Sequence, residues 1–70
     1  MSVSTMILQD GTLCLIEPKP ENPHLDHRVF REGKHGGYEW AHFSDVNENN
    51  SRARWYGWGG KELPDTMRAT

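Results

Sequence analysis

Two short apolar runs near the start of the chain flank the dipeptide Asp10-Gly11. Residues 5–9 and 12–16 have the length and composition of strands, and both turn residues tolerate the positive φ angles of a two-residue type I′ turn. This pattern predicts a β-hairpin in which Gln9 pairs with Thr12. The predicted pairing sets Leu8 beside Leu13 and Met6 beside Leu15 on one face, with Ile7 beside Cys14 on the other. Because both faces are apolar, we expect this hairpin to lie centrally in the sheet.

A second hairpin is predicted from Arg28–Glu32 and residues 38–43, joined by the glycine-rich segment 33–37. The glycines permit a bulged or longer turn. Alternation in the second strand gives two faces, and the choice between them depends on whether Trp40 or Phe43 is the buried residue. We expect Trp40 to point into the core. The Trp40 face also carries Tyr38 and His42, whereas the Phe43 face carries Glu39 and Ala41.

Three further segments are predicted from turn formers and prolines. Residues 17–23 contain three prolines and indicate a semi-rigid surface connection. Residues 44–51 are polar and predict a loop, or at most one helical turn capped by Ser44 or Asp45, because they hold too few apolar residues for a packed helix. Residues 61–70 predict a short tail anchored by Leu63 or Met67.

Residues 52–58 predict the last strand and carry the most distinctive side chains of the chain. Alternation places Ala53 and Trp55 on one face. The opposite face combines two cations with two aromatic rings: Arg52, Arg54, Tyr56 and Trp58. With five short strands separated by turn signals, the sequence predicts a single all-β domain. Its expected architecture is a small antiparallel meander or partly open barrel.

Composition narrows the functional classes. The chain has 70 residues, of which 34% are hydrophobic, so its core is thin and a deep catalytic cleft is not expected. Cys14 is the sole cysteine, which rules out an internal disulfide, and its apolar neighbours predict a buried, inert thiol. No apolar run approaches the length of a membrane span, and we expect a cytoplasmic protein that is not membrane-bound.

No residue pattern indicates catalysis or a cofactor. No serine or cysteine has the setting of an activated nucleophile, and the glycine groups precede no amphipathic helix that could bind phosphate. His24 and His27 point in opposite directions if their segment is extended, so neither these residues nor His35 and His42 are expected to bind a metal. The sequence therefore predicts a non-enzymatic protein without cofactors, and its motifs identify no family.

The arginine and aromatic face supports two functional hypotheses. Tryptophan, tyrosine and arginine dominate the energetics of protein interfaces, so the first is docking on a larger protein or complex through Arg52, Arg54, Tyr56 and Trp58. Small chains without catalytic motifs often regulate or inhibit larger complexes, as some phage proteins do. Arg28, Arg31 and Lys34 are secondary contact candidates.

The second hypothesis is a β-sheet nucleic-acid binder, in which these cations contact phosphates and Tyr56 or Trp58 stacks on bases. The net charge of -2 argues against it, as do four acidic residues that would oppose phosphate: Asp26, Glu32, Glu39 and Glu48. A plain structural alternative is also open, in which Trp55 and Trp58 fill the core and the arginines are solvated. A homodimer that buries the apolar hairpin face is a further alternative.

Overall fold

The computed structural model describes residues 4–22, 24–25, 27–59 and 62–68, with the side chain of Arg68 not described. Within these residues the chain forms one five-stranded antiparallel sheet whose strands follow chain order. The sheet is open and does not close into a barrel. This confirms the predicted small antiparallel all-β meander. Four residues used in the sequence predictions lie outside the described residues. They are Pro23 of the proline-rich connection, the acidic residue Asp26, the turn residue Gly60 and the first tail residue, Lys61.

The strands are short and are joined by tight connections. They span Ser4–Ile7 (β1), Leu13–Ile16 (β2), Arg28–Glu32 (β3), Tyr38–His42 (β4) and Tyr56–Trp58 (β5). A helix, Phe43–Asn49 (α1), follows β4 directly, and a 3-10 turn, Asp65–Arg68, closes the described chain. The second predicted hairpin is thereby confirmed, with its last strand ending one residue earlier than expected.

The first hairpin has a three-residue loop, so the predicted two-residue type I′ turn is wrong. The Leu8 amide donates to the Thr12 carbonyl at 2.9 Å, and Gly11 has φ of 89°. Asp10 fixes the loop because its Oδ1 accepts the Thr12 amide hydrogen at 2.9 Å. A glycine in the left-handed region at the end of a three-residue loop is typical of a type I turn with a bulge. Pairing is therefore shifted by one residue, and Met6 faces Cys14 while Ile7 faces Leu13.

Because of this shift, the side chains of the hairpin are distributed between the two faces of the sheet differently from the prediction. Leu8, Met6 and Cys14 lie on one face, together with the buried residues Val29 and Ala41 of β3 and β4. Ile7, Leu13 and Leu15 lie on the other face. The hairpin is also not central, because β1 is an edge strand. Sheet position is decided by the whole strand order, which the apolar content of one hairpin does not reveal.

Helix α1 covers one face of the sheet, which we call the helix-covered face. The hydrophobic core between α1 and this face consists of Leu8, Cys14, Val29, Ala41 and Val46, with Phe43, Ala53 and Trp55 packed against it. The predicted loop, or at most one helical turn, over residues 44–51 is therefore wrong for residues 44–49, whereas residues 50 and 51 form a turn. Val46 is only 1% exposed, and together with Phe43 it gives a two-turn helix enough apolar surface to pack. The N-cap is His42, without a side-chain cap bond, instead of Ser44 or Asp45.

Ala41, and not Trp40, is the inward residue of β4 on the helix-covered face. Ala41 is fully buried, whereas Trp40 is half-buried on the opposite face. The predicted orientation of Trp40 toward the core is therefore wrong. A helix that packs closely on the sheet favours a small residue at this position, and the indole is placed on the side where space is open.

The opposite face, which we call the open face, is partly crossed by residues 62–68, the tail. Thr66 donates a hydrogen bond to the Glu17 carboxylate of the segment after β2, and the Trp58 indole Nε1 donates to the Glu62 carbonyl at 2.8 Å. Met67, one of the two expected anchors, is buried, and Leu63 is half-buried. Phe30 of β3 is fully buried on this face. The sheet is thus covered by a helix on one side and in part by the tail on the other.

Candidate protein-binding face

The strand register aligns large side chains in rows across the open face. Leu15, Phe30, Trp40 and Tyr56 are successive cross-strand partners from β2 to β5. In the neighbouring row, Glu32, Tyr38 and Trp58 are successive partners from β3 to β5. Side chains paired across antiparallel strands lie close enough to contact one another. The open face therefore carries adjacent rows of mainly aromatic and apolar side chains, and the tail covers part of it.

Three rings gather at the β4–β5 side of the open face and form what we call the aromatic patch: Trp40, His42 and Tyr56. The Trp40 and Tyr56 ring centroids are 4.8 Å apart at an interplanar angle of 31°. His42 meets Trp40 edge-on at 5.1 Å and Tyr56 at 6.3 Å. Tyr56 is 38% exposed, and the other two rings are half-buried. The patch presents aromatic surface to solvent while each ring is held by its neighbours.

Trp58 does not belong to this patch, although alternation places it on the same face as Tyr56. Its ring meets Phe30 edge-on at 5.5 Å, and its indole nitrogen bonds the backbone of the tail. Trp55 lies on the helix-covered face, where it packs against the core with the Arg31 guanidinium 4.0 Å above its ring. The structure thus divides the predicted aromatic face, with Tyr56 exposed and Trp58 engaged by the tail.

Arg52 and Arg54 precede β5, so the predicted strand over residues 52–58 is wrong for its first four residues. The Arg52 amide bonds the Asn49 carbonyl at 3.0 Å, which places it in the turn after α1. Both side chains are exposed and line one shallow depression with Tyr56. Asp45 and Glu48 of α1 line the same depression. Within the described residues neither arginine forms an ion pair, and both remain next to the aromatic patch.

Arg28 and Arg31, two of the secondary candidates, are occupied by ion pairs. Arg28 donates through Nε and one terminal nitrogen to the two carboxylate oxygens of Glu17, at 3.1 and 2.8 Å. Its guanidinium also lies 5.3 to 5.9 Å from the ring centroids of Trp58, Phe30 and Trp40. Arg31 donates to Glu39 at 2.9 Å. Lys34, the third candidate, is exposed in the β3–β4 connection.

Glu17 is a structurally important residue that the sequence reasoning missed. It is only 4% exposed, and it accepts hydrogen bonds from the Arg28 side chain, the Arg28 amide and Thr66. Burial opposes its ionisation, yet the bonds from Arg28 and Thr66 hold its pKa below the usual value of 4.5. Alternation carried one residue beyond Ile16 would have placed Glu17 on the face of Leu15, but the following prolines indicated a surface connection.

A second apolar region lies at the β1–β2 side of the open face. Ile7 and Leu13 are directly opposite each other and are 62% and 55% exposed. Beside them, Leu13, Leu15, Phe30 and Tyr38 line a groove of about 320 Å³ whose rim includes Glu32. Thr12 and Arg31 also line this groove, so the region is mainly apolar with charged residues at its rim.

Among the described residues, the cysteine and histidine candidates are not grouped into a catalytic or metal-binding site. Cys14 is fully buried, as predicted, and burial raises the pKa of its thiol. His27 stacks on Phe43 with ring centroids 4.2 Å apart, and His24 is exposed. Among the described residues, no three histidine, cysteine or acidic side chains are grouped as metal ligands.

No helix in the described part of the chain combines the length and apolar character needed to cross a membrane. Comparison of the chain with known protein families, with curated proteins and with solved structures found no match in any of the three.

Proposed function

We propose that this chain is a non-enzymatic binding protein that docks on a larger protein through the aromatic patch, with Arg52 and Arg54 at its border. The observation that supports this most directly is the Trp40–Tyr56 pair on adjacent strands, with ring centroids 4.8 Å apart, Tyr56 exposed and Trp40 half-buried. Docking would regulate or inhibit the partner by covering one of its working surfaces.

The chemistry of the patch fits a protein interface. Trp, Tyr and Arg are the residue types most enriched among those that dominate binding energies, because each joins a large contact area to a polar group. The rings of Trp40, His42 and Tyr56 already constrain one another. Binding therefore orders few additional side-chain rotations, which lowers the entropic cost of association.

Nucleic-acid binding draws less support from the same residues. Arg28 and Arg31 are neutralised by Glu17 and Glu39, so two of the five proposed phosphate contacts are already occupied. Arg52 and Arg54 share their depression with Asp45 and Glu48. A phosphate backbone would meet mixed charge here, and its binding depends chiefly on an excess of cations.

The proposal is tested with a double variant that removes the exposed ring and its neighbouring cation, Arg54→Ala with Tyr56→Ala. The matched control is Lys19→Ala with Leu25→Ala, which also removes one exposed cation and one large exposed apolar side chain, from the connecting segments after β2. Each tagged protein is used for affinity capture from its native lysate, with nuclease and across a salt series. Circular dichroism confirms that each variant is folded.

We expect one protein to be retained in stoichiometric amount by the wild type and the control. Loss of two dominant contacts should weaken its affinity for the Arg54/Tyr56 variant by about 30-fold or more, as measured by titration with the purified partner. Equal affinity in a folded double variant would contradict the proposal. Retained material that disappears with nuclease and high salt would instead favour the nucleic-acid alternative.

A further inference from the structure

The outer edge of β1 is unpaired in the described structure. β1 has one neighbour, β2, because the strand order begins with it. The backbone groups along the other side of Ser4–Ile7 therefore have no strand partner among the described residues. Open edges of this kind are templates for pairing with another strand.

The register identifies which backbone groups point outward from this edge. The Leu8 amide bonds the Thr12 carbonyl, so Leu8 and Thr12 form a hydrogen-bonded pair. Hydrogen-bonded and non-hydrogen-bonded pairs alternate along antiparallel strands, so Met6–Cys14 and Ser4–Ile16 are also hydrogen-bonded pairs. The N–H and C=O groups of Thr5 and Ile7 consequently point away from β2. They are placed symmetrically on either side of Met6.

The side chains at this edge lack the features that usually prevent strand pairing. Natural edge strands are commonly protected by charged residues, prolines or bulges. From Ser4 to Gln9 the chain has no charged residue and no proline. Ile7 of this strand is 62% exposed. The other edge strand, β5, differs because it has three residues and follows the exposed cations Arg52 and Arg54.

We propose that this edge binds a second copy of the same chain, forming an antiparallel β1–β1 pair about a two-fold axis at Met6. In this arrangement Thr5 of each copy pairs with Ile7 of the other, and the outward backbone groups of both residues are satisfied. The two-fold axis places β1 of one copy beside β1 of the other, so any charged residue in β1 would face a like charge in the second copy. An uncharged β1 therefore suits a second copy in particular, and the net charge of -2 per chain adds little repulsion.

The same geometry covers part of the exposed apolar surface. A two-fold axis perpendicular to the sheet keeps the open faces of both copies on one side, so Ile7 packs beside Thr5 of the second copy. The interface is one short strand wide and smaller than the roughly 800 Å² per partner of a standard stable complex. We therefore expect a weak dimer, with a dissociation constant on the order of 100 µM.

Sedimentation velocity of the purified chain from about 10 µM to about 1 mM tests this pairing, a range that brackets the expected dissociation constant. The weight-average mass should rise from 8.1 kDa toward twice that value as concentration increases. Ile7→Lys places one positive charge of each copy on either side of the axis, as diagonal neighbours on the same face, and should leave the chain monomeric throughout. Leu25→Lys is the matched control, because Leu25 is 60% exposed but lies outside the sheet, and it should associate like the wild type.

A backbone variant makes the result independent of side-chain charge. Thr5→Pro removes one outward N–H and leaves the β1–β2 ladder intact, since proline is tolerated at an edge position whose N–H faces solvent. It should also be monomeric. A wild type that stays at 8.1 kDa over the whole range would overturn the proposal, as would association of a folded Ile7→Lys or Thr5→Pro variant at wild-type strength. None of these outcomes depends on the docking function of the aromatic patch.

Discussion

Glu17 lies where three segments of the chain meet. Its carboxylate joins the end of β2 to Arg28 of β3 and to Thr66 of the tail. The carboxylate is nearly buried, while the Arg28 side chain keeps 29% exposure. A buried charge is tolerated when its lone pairs are satisfied, and here both oxygens accept charge-assisted bonds. Glu17 thereby provides one of two hydrogen bonds that attach the tail to the sheet, the other being the Trp58–Glu62 bond.

Replacing Glu17 with glutamine should destabilise the protein clearly. The neutral amide keeps the shape of the side chain, but it loses the charge-assisted bonds and leaves Arg28 without its counterion. We expect the free energy of unfolding to fall by about 2 kcal/mol, less than for a fully buried pair because Arg28 is partly solvated. Urea denaturation followed by tryptophan fluorescence measures the change.

Glu39→Gln is the matched control for this substitution. It breaks the Arg31–Glu39 pair, in which both side chains are more accessible to water than Glu17 is. The expected loss is below about 1 kcal/mol, as for other surface ion pairs. A larger loss for Glu39→Gln than for Glu17→Gln would contradict the central role of Glu17.

At the residue scale, the sequence predicted the burial of a side chain where that burial depends on residues nearby in the sequence. Cys14 is buried as predicted, and it lies on the helix-covered face among the core residues. Glu17 was missed because its partners Arg28 and Thr66 are distant in sequence. Alternation predicted that Tyr56 and Trp58 act together on one strand face. The strand register instead places Tyr56 opposite Trp40 of β4, and no local sequence pattern contains that register.

The first hairpin shows how one loop residue sets the faces of an element. Gly11 adopts φ of 89°, and Asp10 holds the loop through its bond to the Thr12 amide. The resulting three-residue loop moves the pairing by one position and brings Ile7 and Leu13 to the open face. A one-residue shift of register reverses which side chains face the core. The exposed apolar surface at β1 therefore originates in the loop.

Gly11→Ala should weaken this hairpin through backbone strain alone. An added Cβ at Gly11 meets no atom within 4 Å, so steric contact does not contribute. The left-handed conformation costs a residue with a Cβ about 1 kcal/mol, and the free energy of unfolding should fall by that amount. Gly57→Ala in β5 also meets no atom within 4 Å and has no positive φ, so its effect should stay within about 0.5 kcal/mol. Equal losses in both variants by urea denaturation would contradict this explanation.

At the element scale, alternation and turn residues identified the strands, and tertiary packing decided the rest. The β3–β4 hairpin was predicted closely because both strands alternate and the connection is rich in glycine. Helix α1 was missed because its sequence is polar, and only contact with the sheet makes Val46 and Phe43 sufficient. The last strand was predicted too long because Arg52 and Arg54 continue the alternation without any partner on β4.

The molecule as a whole is a sheet with unequal coverings. α1 seals one face over a compact core, while the tail crosses the other and leaves two regions open, the aromatic patch and the Ile7–Leu13 region. A 70-residue chain has little apolar area to bury, so each covering segment contributes a large fraction of the stability. The face with the weaker covering is also the face proposed to bind a partner.

Stability should depend on pH through Glu17. Its pKa is lowered in the folded protein, so the unfolded chain takes up the proton at a higher pH than the folded chain does. The stabilisation is complete above the unfolded value, near 4.5, and is lost as pH falls through the lower folded value. The difference in urea midpoint between wild type and Glu17→Gln should therefore be largest near pH 7 and shrink toward about pH 2. A difference that stays constant over this range would assign the effect to packing instead of charge.

The order of the strands also has a kinetic consequence. Each strand pairs with its neighbours in the sequence, so the sheet forms from local hairpins whose closure costs little chain entropy. The Thr66–Glu17 bond instead joins residues 49 positions apart, and the carboxylate that accepts it is held in place by Arg28 of β3. We expect the tail to dock last during folding and to detach first during fluctuations. The amide hydrogens of residues 65–68 should then exchange with solvent before those of β3 and β4.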